Sequence, residues 1–79
     1  MRYTLKTFGI TRDILGGKEV TFEMDGVKVA ELKSELMKRF PEMSSLNSLL
    51  IAVNNAYAED DAVISESDEI ALIPPVSGG

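Results

Sequence analysis

The sequence predicts an α+β domain, one β-sheet with one helix packed across one face. Three observations predict it. Two runs near the N-terminus alternate apolar and polar residues and are joined by a Gly-containing segment. A stripe of apolar residues at helical spacing follows them. Further short strand-like runs complete a chain of 79 residues, which is enough for one domain with a small core.

The first run, Arg2 to Phe8, places Tyr3 and Leu5 on one side and Thr4 and Lys6 on the other. Phe8 falls with Thr4 and Lys6 by parity, so either the strand bends or ends there, or the ring is an exposed contact. Gly9 to Gly17 is long for a hairpin loop and is expected to wander or to cover an edge. Lys18 to Met24 alternates again, with Val20, Phe22 and Met24 inward, and Asp25-Gly26 marks the next turn. Val29, Leu32, Leu36 and Phe40, widened by Met37, form one helical stripe, and Glu31, Lys33, Glu35, Lys38 and Arg39 fill the opposite face. Lys28 is no N-cap, so the start of this helix is unmarked, whereas Pro41 marks its end. Leu49 to Val53 reads as a buried strand, Asn54-Asn55 as a turn, and Ala56 to Ala58 as a short return. After an acidic loop, Glu59 to Asp61, and a polar turn, Ser65 to Glu69, the last strand ends at Ile73. Its parity sends Ile70 and Leu72 inward, and Ala71 and Ile73 outward. Phe8 and Ile73 thus share the face that the helix does not cover, and they adjoin only if the first and last strands are neighbours.

Composition narrows the function. The chain has no His and no Cys, so the usual general base near neutral pH, the usual zinc ligands and a thiol nucleophile are all missing. Self-sufficient catalysis is therefore not expected. A formal net charge of −5 disfavours nucleic acid and anionic membranes as partners. The longest apolar run, Leu49 to Val53, is too short to span a bilayer, and the N-terminal residues lack the apolar segment of a signal peptide, so a cytoplasmic protein is expected. Adjacent carboxylates at Glu59 to Asp61 lack a calcium-loop pattern, so no metal site is expected.

The ending, ALIPPVSGG, carries the chemistry. Pro74 and Pro75 fix their own φ and hold their predecessors extended, so they predict a semi-rigid stalk directed away from the sheet. Val76, Ser77, Gly78 and Gly79 follow. A tip without side chains can thread into a narrow site, and its one reactive group is the Gly79 carboxylate. Activation of that carboxylate as an acyl-adenylate allows a sulfur nucleophile to form a thiocarboxylate, or a lysine amine to form an amide. A terminal Gly-Gly arises by chance in about one chain in two hundred, so the stalk and tip together say more than the dipeptide.

AVNNAYAEDD, Ala52 to Asp61, and DEIALIPPVSGG, Asp68 to Gly79, resemble the small subunits of molybdopterin synthase, as do Thr7 to Gly17 and the helix. The resemblance implies a ubiquitin-like β-grasp domain over residues 1–73, with a mixed sheet and parallel first and last strands, followed by a reactive tail over 74–79. It implies adenylation of Gly79 by an activating enzyme using ATP and magnesium, with no cofactor bound by this chain. Conversion to the thiocarboxylate would follow, and insertion of Pro74, Pro75, Val76, Ser77 and Gly78 into the active site of the large subunit. Sulfur would pass to cyclic pyranopterin monophosphate within a heterotetramer. Phe8, Ile73 and Tyr57 would form the partner-binding patch. Glu66-Ser67-Asp68 replaces the Gly-Asp turn common in that family. The alternatives are a ubiquitin-like modifier conjugated to lysines and a sulfur carrier for thiazole synthesis.

Overall fold

The computed structural model describes residues 1–45 and 49–74, and within them the chain runs β1 (Arg2–Thr7), α1 (Ile10–Leu15), β2 (Glu19–Glu23), α2 (Val29–Arg39), a 3-10 helix (Pro41–Ser45), β3 (Leu50–Val53), β4 (Ala56–Tyr57) and β5 (Ile70–Ile73). The strands form one sheet in the order β2-β1-β5-β3-β4. β1 pairs antiparallel with β2 and parallel with β5, and β3 pairs antiparallel with β5 and β4. The expected mixed sheet, with its first and last strands as parallel neighbours, is therefore present.

Alternation along the strands explains which face is covered. Tyr3, Leu5 and Thr7 of β1, Phe22 of β2, Ile51 of β3, and Ile70 and Leu72 of β5 are buried. They meet Val29, Leu32 and Leu36 of α2, with Met24, Met43, Leu49 and Ile64 closing the core. Burying side chains of this size stabilises the fold by about 1.5–3 kcal/mol each, which is how a chain without disulfides holds one helix on one sheet. Tyr3 stays in this core because its hydroxyl donates to the Gly26 carbonyl at 2.7 Å.

Three expectations need correction. Gly9 to Gly17 holds a short helix, α1, with Thr11 buried and Ile14 and Leu15 packed on the core. Its six residues are too few for a periodic signal, and tertiary packing holds them. Met37 does not widen the buried stripe, because it is 39% exposed on the outer side of α2. The strand read as buried throughout instead alternates, with Ile51 inside and Leu50 46% exposed.

The start of α2 is built by residues far from it. The Asp60 and Ala62 carbonyls accept from Ala30 N and Val29 N, at 2.9 and 3.0 Å. The Glu31 carboxylate accepts from Val27 N and Lys28 N, both at 3.1 Å. The first two bonds satisfy first-turn amides that have no partner within the helix, and the Glu31 bond to Lys28 N is the return half of a capping box. The acidic loop is thus a support for the helix, and Lys33 reaches Asp60 at 2.9 Å.

Candidate functional site

The site is built around the end of β5. This strand lies in the middle of the sheet, so its backbone is paired on both sides, by β1 and by β3. The register sets Leu5 beside Ile70, Lys6 beside Ala71 and Thr7 beside Leu72. One step further, Phe8 follows β1 and Ile73 closes β5, on the same open face. Across the other edge, Leu50 is directly opposite Ile73. Residues opposite one another share a face, so Phe8, Ile73 and Leu50 form a row across three strands. Behind it, Lys6, Ala71, Ala52 and Tyr57 make a second row.

Phe8 is 44% exposed and Tyr57 71% exposed. Ile73 is half-buried between its neighbours. The structure therefore brings Phe8 and Ile73 together, and it places Tyr57 on the same face but one strand beyond, in the other row. The residue that sequence reasoning missed is Leu50. Parity within β3 was the available signal, but a continuous apolar run hides alternation.

Pro74 is held from below. Ile73 is the last residue of β5, and Pro74 is half-buried beyond it. Gly9 lies against that proline: a Cβ on Gly9 would sit 3.3 Å from Pro74 Cγ. Gly9 also holds φ 56° and ψ −130°, a backbone conformation suited to glycine. Thr11, fully buried in the next turn, donates through Oγ1 to the Phe8 carbonyl at 2.6 Å and accepts from Phe8 N at 2.8 Å. These contacts fix the backbone that presents the Phe8 ring. Pro75, Val76, Ser77, Gly78 and Gly79 lie outside the described residues.

The turns leading into β5 and out of β3 are tied together. Asn54 and Asn55 both have positive φ, at 53° and 70°, which their short polar side chains tolerate in a tight hairpin. Asn54 Oδ1 accepts from Glu69 N at 2.9 Å, and Asn54 Nδ2 donates to Asp68 Oδ1 at 2.9 Å. Asp68 Oδ2 accepts from Ser65 N at 2.8 Å, and these bonds to its charged form hold its carboxyl below the usual range. The turn at Glu66-Ser67-Asp68 is therefore closed by the Asp68 side chain. No group of three or more acidic residues among the described residues is arranged to hold a metal ion. No helix among them is long and apolar enough to cross a membrane.

A mixed five-stranded sheet in this order, grasping one long helix and ending in a central strand, is the ubiquitin-like β-grasp architecture. The chain belongs to the ThiS family, whose model matches residues 5–79. It is similar to the molybdopterin synthase sulfur carrier subunit of Arabidopsis thaliana, at 34% identity over 74 residues, covering 91% of this chain and 77% of that one. Among solved structures it is similar to a putative molybdopterin converting factor, subunit 1, from Pyrococcus furiosus, with a TM-score of 0.81 and 26% identity over 96% of this chain and 99% of that one. It is also similar to SAMP1, small archaeal modifier protein 1, of Haloferax volcanii, with a TM-score of 0.78 and 25% identity over the full length of both.

Proposed function

We propose that this chain is the sulfur carrier subunit of a molybdopterin synthase, with Gly79 as the residue that carries the sulfur. The observation that carries this reading is the placement of β5. Its end lies beside an exposed apolar row and a glycine that receives Pro74, so a tail leaving it departs from a surface suited to a partner. The family match running to Gly79 and the name of the Arabidopsis relative support the chemistry.

In this reading the Gly79 carboxylate attacks the α-phosphorus of ATP on an activating enzyme, with magnesium on the nucleotide, and pyrophosphate leaves. A sulfur nucleophile at the oxidation level of sulfide attacks the acyl carbon of the adenylate, and AMP leaves. The tail, Pro74 to Gly79, then enters the large subunit. There the thiocarboxylate gives its sulfur to cyclic pyranopterin monophosphate, and water returns the tail to the carboxylate. A dithiolene holds two sulfurs, so two charged chains are consumed per product. The row of Phe8, Ile73 and Leu50, with Tyr57 beside it, docks the large subunit in a heterotetramer. Acid–base catalysis belongs to the partners, since this chain has neither His nor Cys.

Intact-mass measurement after incubation with the activating enzyme, ATP, magnesium and a sulfur source should show one oxygen-for-sulfur exchange. Deletion of Gly79 should abolish it without moving the melting temperature. An unexchanged chain, with an enzyme competent on another carrier, would refute the proposal. The similarity to SAMP1 favours a second reading, conjugation to lysines. Gly-Gly remnants of this chain on lysines of other proteins would establish it.

A further inference from the structure

A cluster of cations interrupts the acidic character of this molecule. The chain carries a formal −5. Yet an open cavity of about 270 Å³ where β1 ends and β2 begins is lined by Lys6, Arg12 and Lys18, with Thr7, Phe8 and the single carboxylate of Glu19. Lys6 pairs with Glu69 at 3.0 Å. Arg12 and Lys18 are exposed and make no ion pair among the described residues, whereas Arg2, Lys33 and Arg39 each have a carboxylate partner. The floor of the cavity includes the Phe8 ring, and the residue after Phe8 is the glycine that touches Pro74. Whatever occupies this corner is therefore next to the root of the tail.

We infer that this corner receives an acidic segment of the protein that takes the tail, with carboxylates meeting Arg12 and Lys18 and an apolar side chain against Phe8. The inference rests on the carrier reading for the identity of that protein. A cavity of about 270 Å³ is smaller than the usual small-molecule site and suits one or two side chains. The remaining acidic surface repels an acidic partner, so attraction confined to this corner turns the tail end toward it during encounter.

The experiment compares two charge-matched double variants. One is Arg12→Glu with Lys18→Glu. The other is Lys28→Glu with Lys38→Glu, which reverses two exposed cations outside the cavity. Association with the large subunit is followed at low and moderate salt, after amide NMR spectra show that both variants are folded. The corner variant should associate about tenfold more slowly at low salt and lose most of its salt dependence, with the control much less affected. Equal slowing in both would reduce the effect to net charge and overturn the inference, as would no slowing in either. A parallel NMR titration of the wild-type chain uses a Glu-rich peptide with one Leu. Amide shifts confined to Thr7, Phe8, Arg12, Lys18 and Glu19 support the corner, and shifts elsewhere, or the same shifts with inorganic phosphate alone, overturn it. A chain that accepts no sulfur but still seats the peptide there overturns the carrier reading alone. A chain that accepts sulfur but binds indifferently to the reversal overturns the corner alone.

Discussion

Docking through the open face makes a quantitative demand on Phe8 and Leu50. Phe8 is 44% exposed and Leu50 46% exposed, so a little under half of each side chain remains to be buried by a partner. Burying such a side chain completely contributes about 1.5–3 kcal/mol, so the remaining fraction contributes about 1 kcal/mol at each residue. That is about fivefold in Kd for Phe8→Ala or Leu50→Thr alone. The two flank Ile73 from opposite sides, and two strand spacings put them about 10 Å apart. Changes at that distance add, so the double variant should bind the large subunit about 25-fold more weakly. Neither residue belongs to the core cluster, but by the same measure the part of each side chain already buried contributes about 1 kcal/mol, so each change should lower stability by about that much and binding is compared where both variants are fully folded. Leu50→Thr replaces the leucine with a β-branched residue, a type favoured in strands. Isothermal titration calorimetry against the large subunit measures the affinity, and thermal melts check the fold. Met37→Ala is the control, since this side chain is comparably exposed but lies on α2, across the sheet from the patch. The reasoning is refuted if Phe8→Ala and Leu50→Thr bind as the wild type does, or if Met37→Ala weakens binding as much as they do.

Further expectations concern the supports of this surface. Gly9→Ala combines a positive φ with a new contact on Pro74 and should cost about 1–3 kcal/mol of stability, read as a lower melting temperature. It should also slow sulfur loading more than that loss of folded protein explains. Gly26→Ala places a Cβ 2.7 Å from Glu31 Cβ, which pushes away the carboxylate serving Val27 N and Lys28 N. The lost cap should cost about 1 kcal/mol, measurable by urea unfolding. Asp68 has a lowered folded pKa, so its stabilisation is present above its unfolded value near 3.8 and lost as pH falls through the folded one. Asp68→Ala should therefore lower the melting temperature at neutral pH and flatten its decline below pH 4, and an unchanged acid limb would remove this assignment.

Much of this architecture is legible in alternation. Tyr3, Leu5, Phe22, Ile70 and Leu72 point inward as parity requires, and Phe8 and Ile73 share the opposite face. What parity cannot carry is pairing between distant strands. The adjacency of β1 and β5 was implied only by resemblance, because a two-residue period says nothing about which edges meet. Three other features were hidden for physical reasons. α1 is too short to display a helical period and is held by Thr11 and the core beneath it. The start of α2 borrows acceptors from Asp60 and Ala62, some thirty residues later, so no Ser, Thr, Asp or Asn at its N-cap marks it. Leu50 lies within the apolar run Leu49 to Val53, where burial on one side and exposure on the other give the same residue types.

The order β2-β1-β5-β3-β4 fixes how the chain leaves so small a domain. A terminal strand at a sheet edge has one partner, and it frays together with whatever follows it. Here the last strand is central, held by β1 on one side and β3 on the other. Ile73 is paired with Leu50 at the last rung, so the backbone is fixed up to the residue before Pro74. The Pro74 ring then fixes its own φ and holds Ile73 extended. The same two neighbours supply Phe8 and Leu50, one on each side of Ile73. The exposed row and the point where the chain leaves the sheet are consequently set by a single piece of geometry. Under the proposed function, a partner that recognises the row of three side chains would also meet Pro74, where the chain leaves the sheet. Under the proposed function, that arrangement would let this chain present the Gly79 carboxylate to the enzymes that activate and use it.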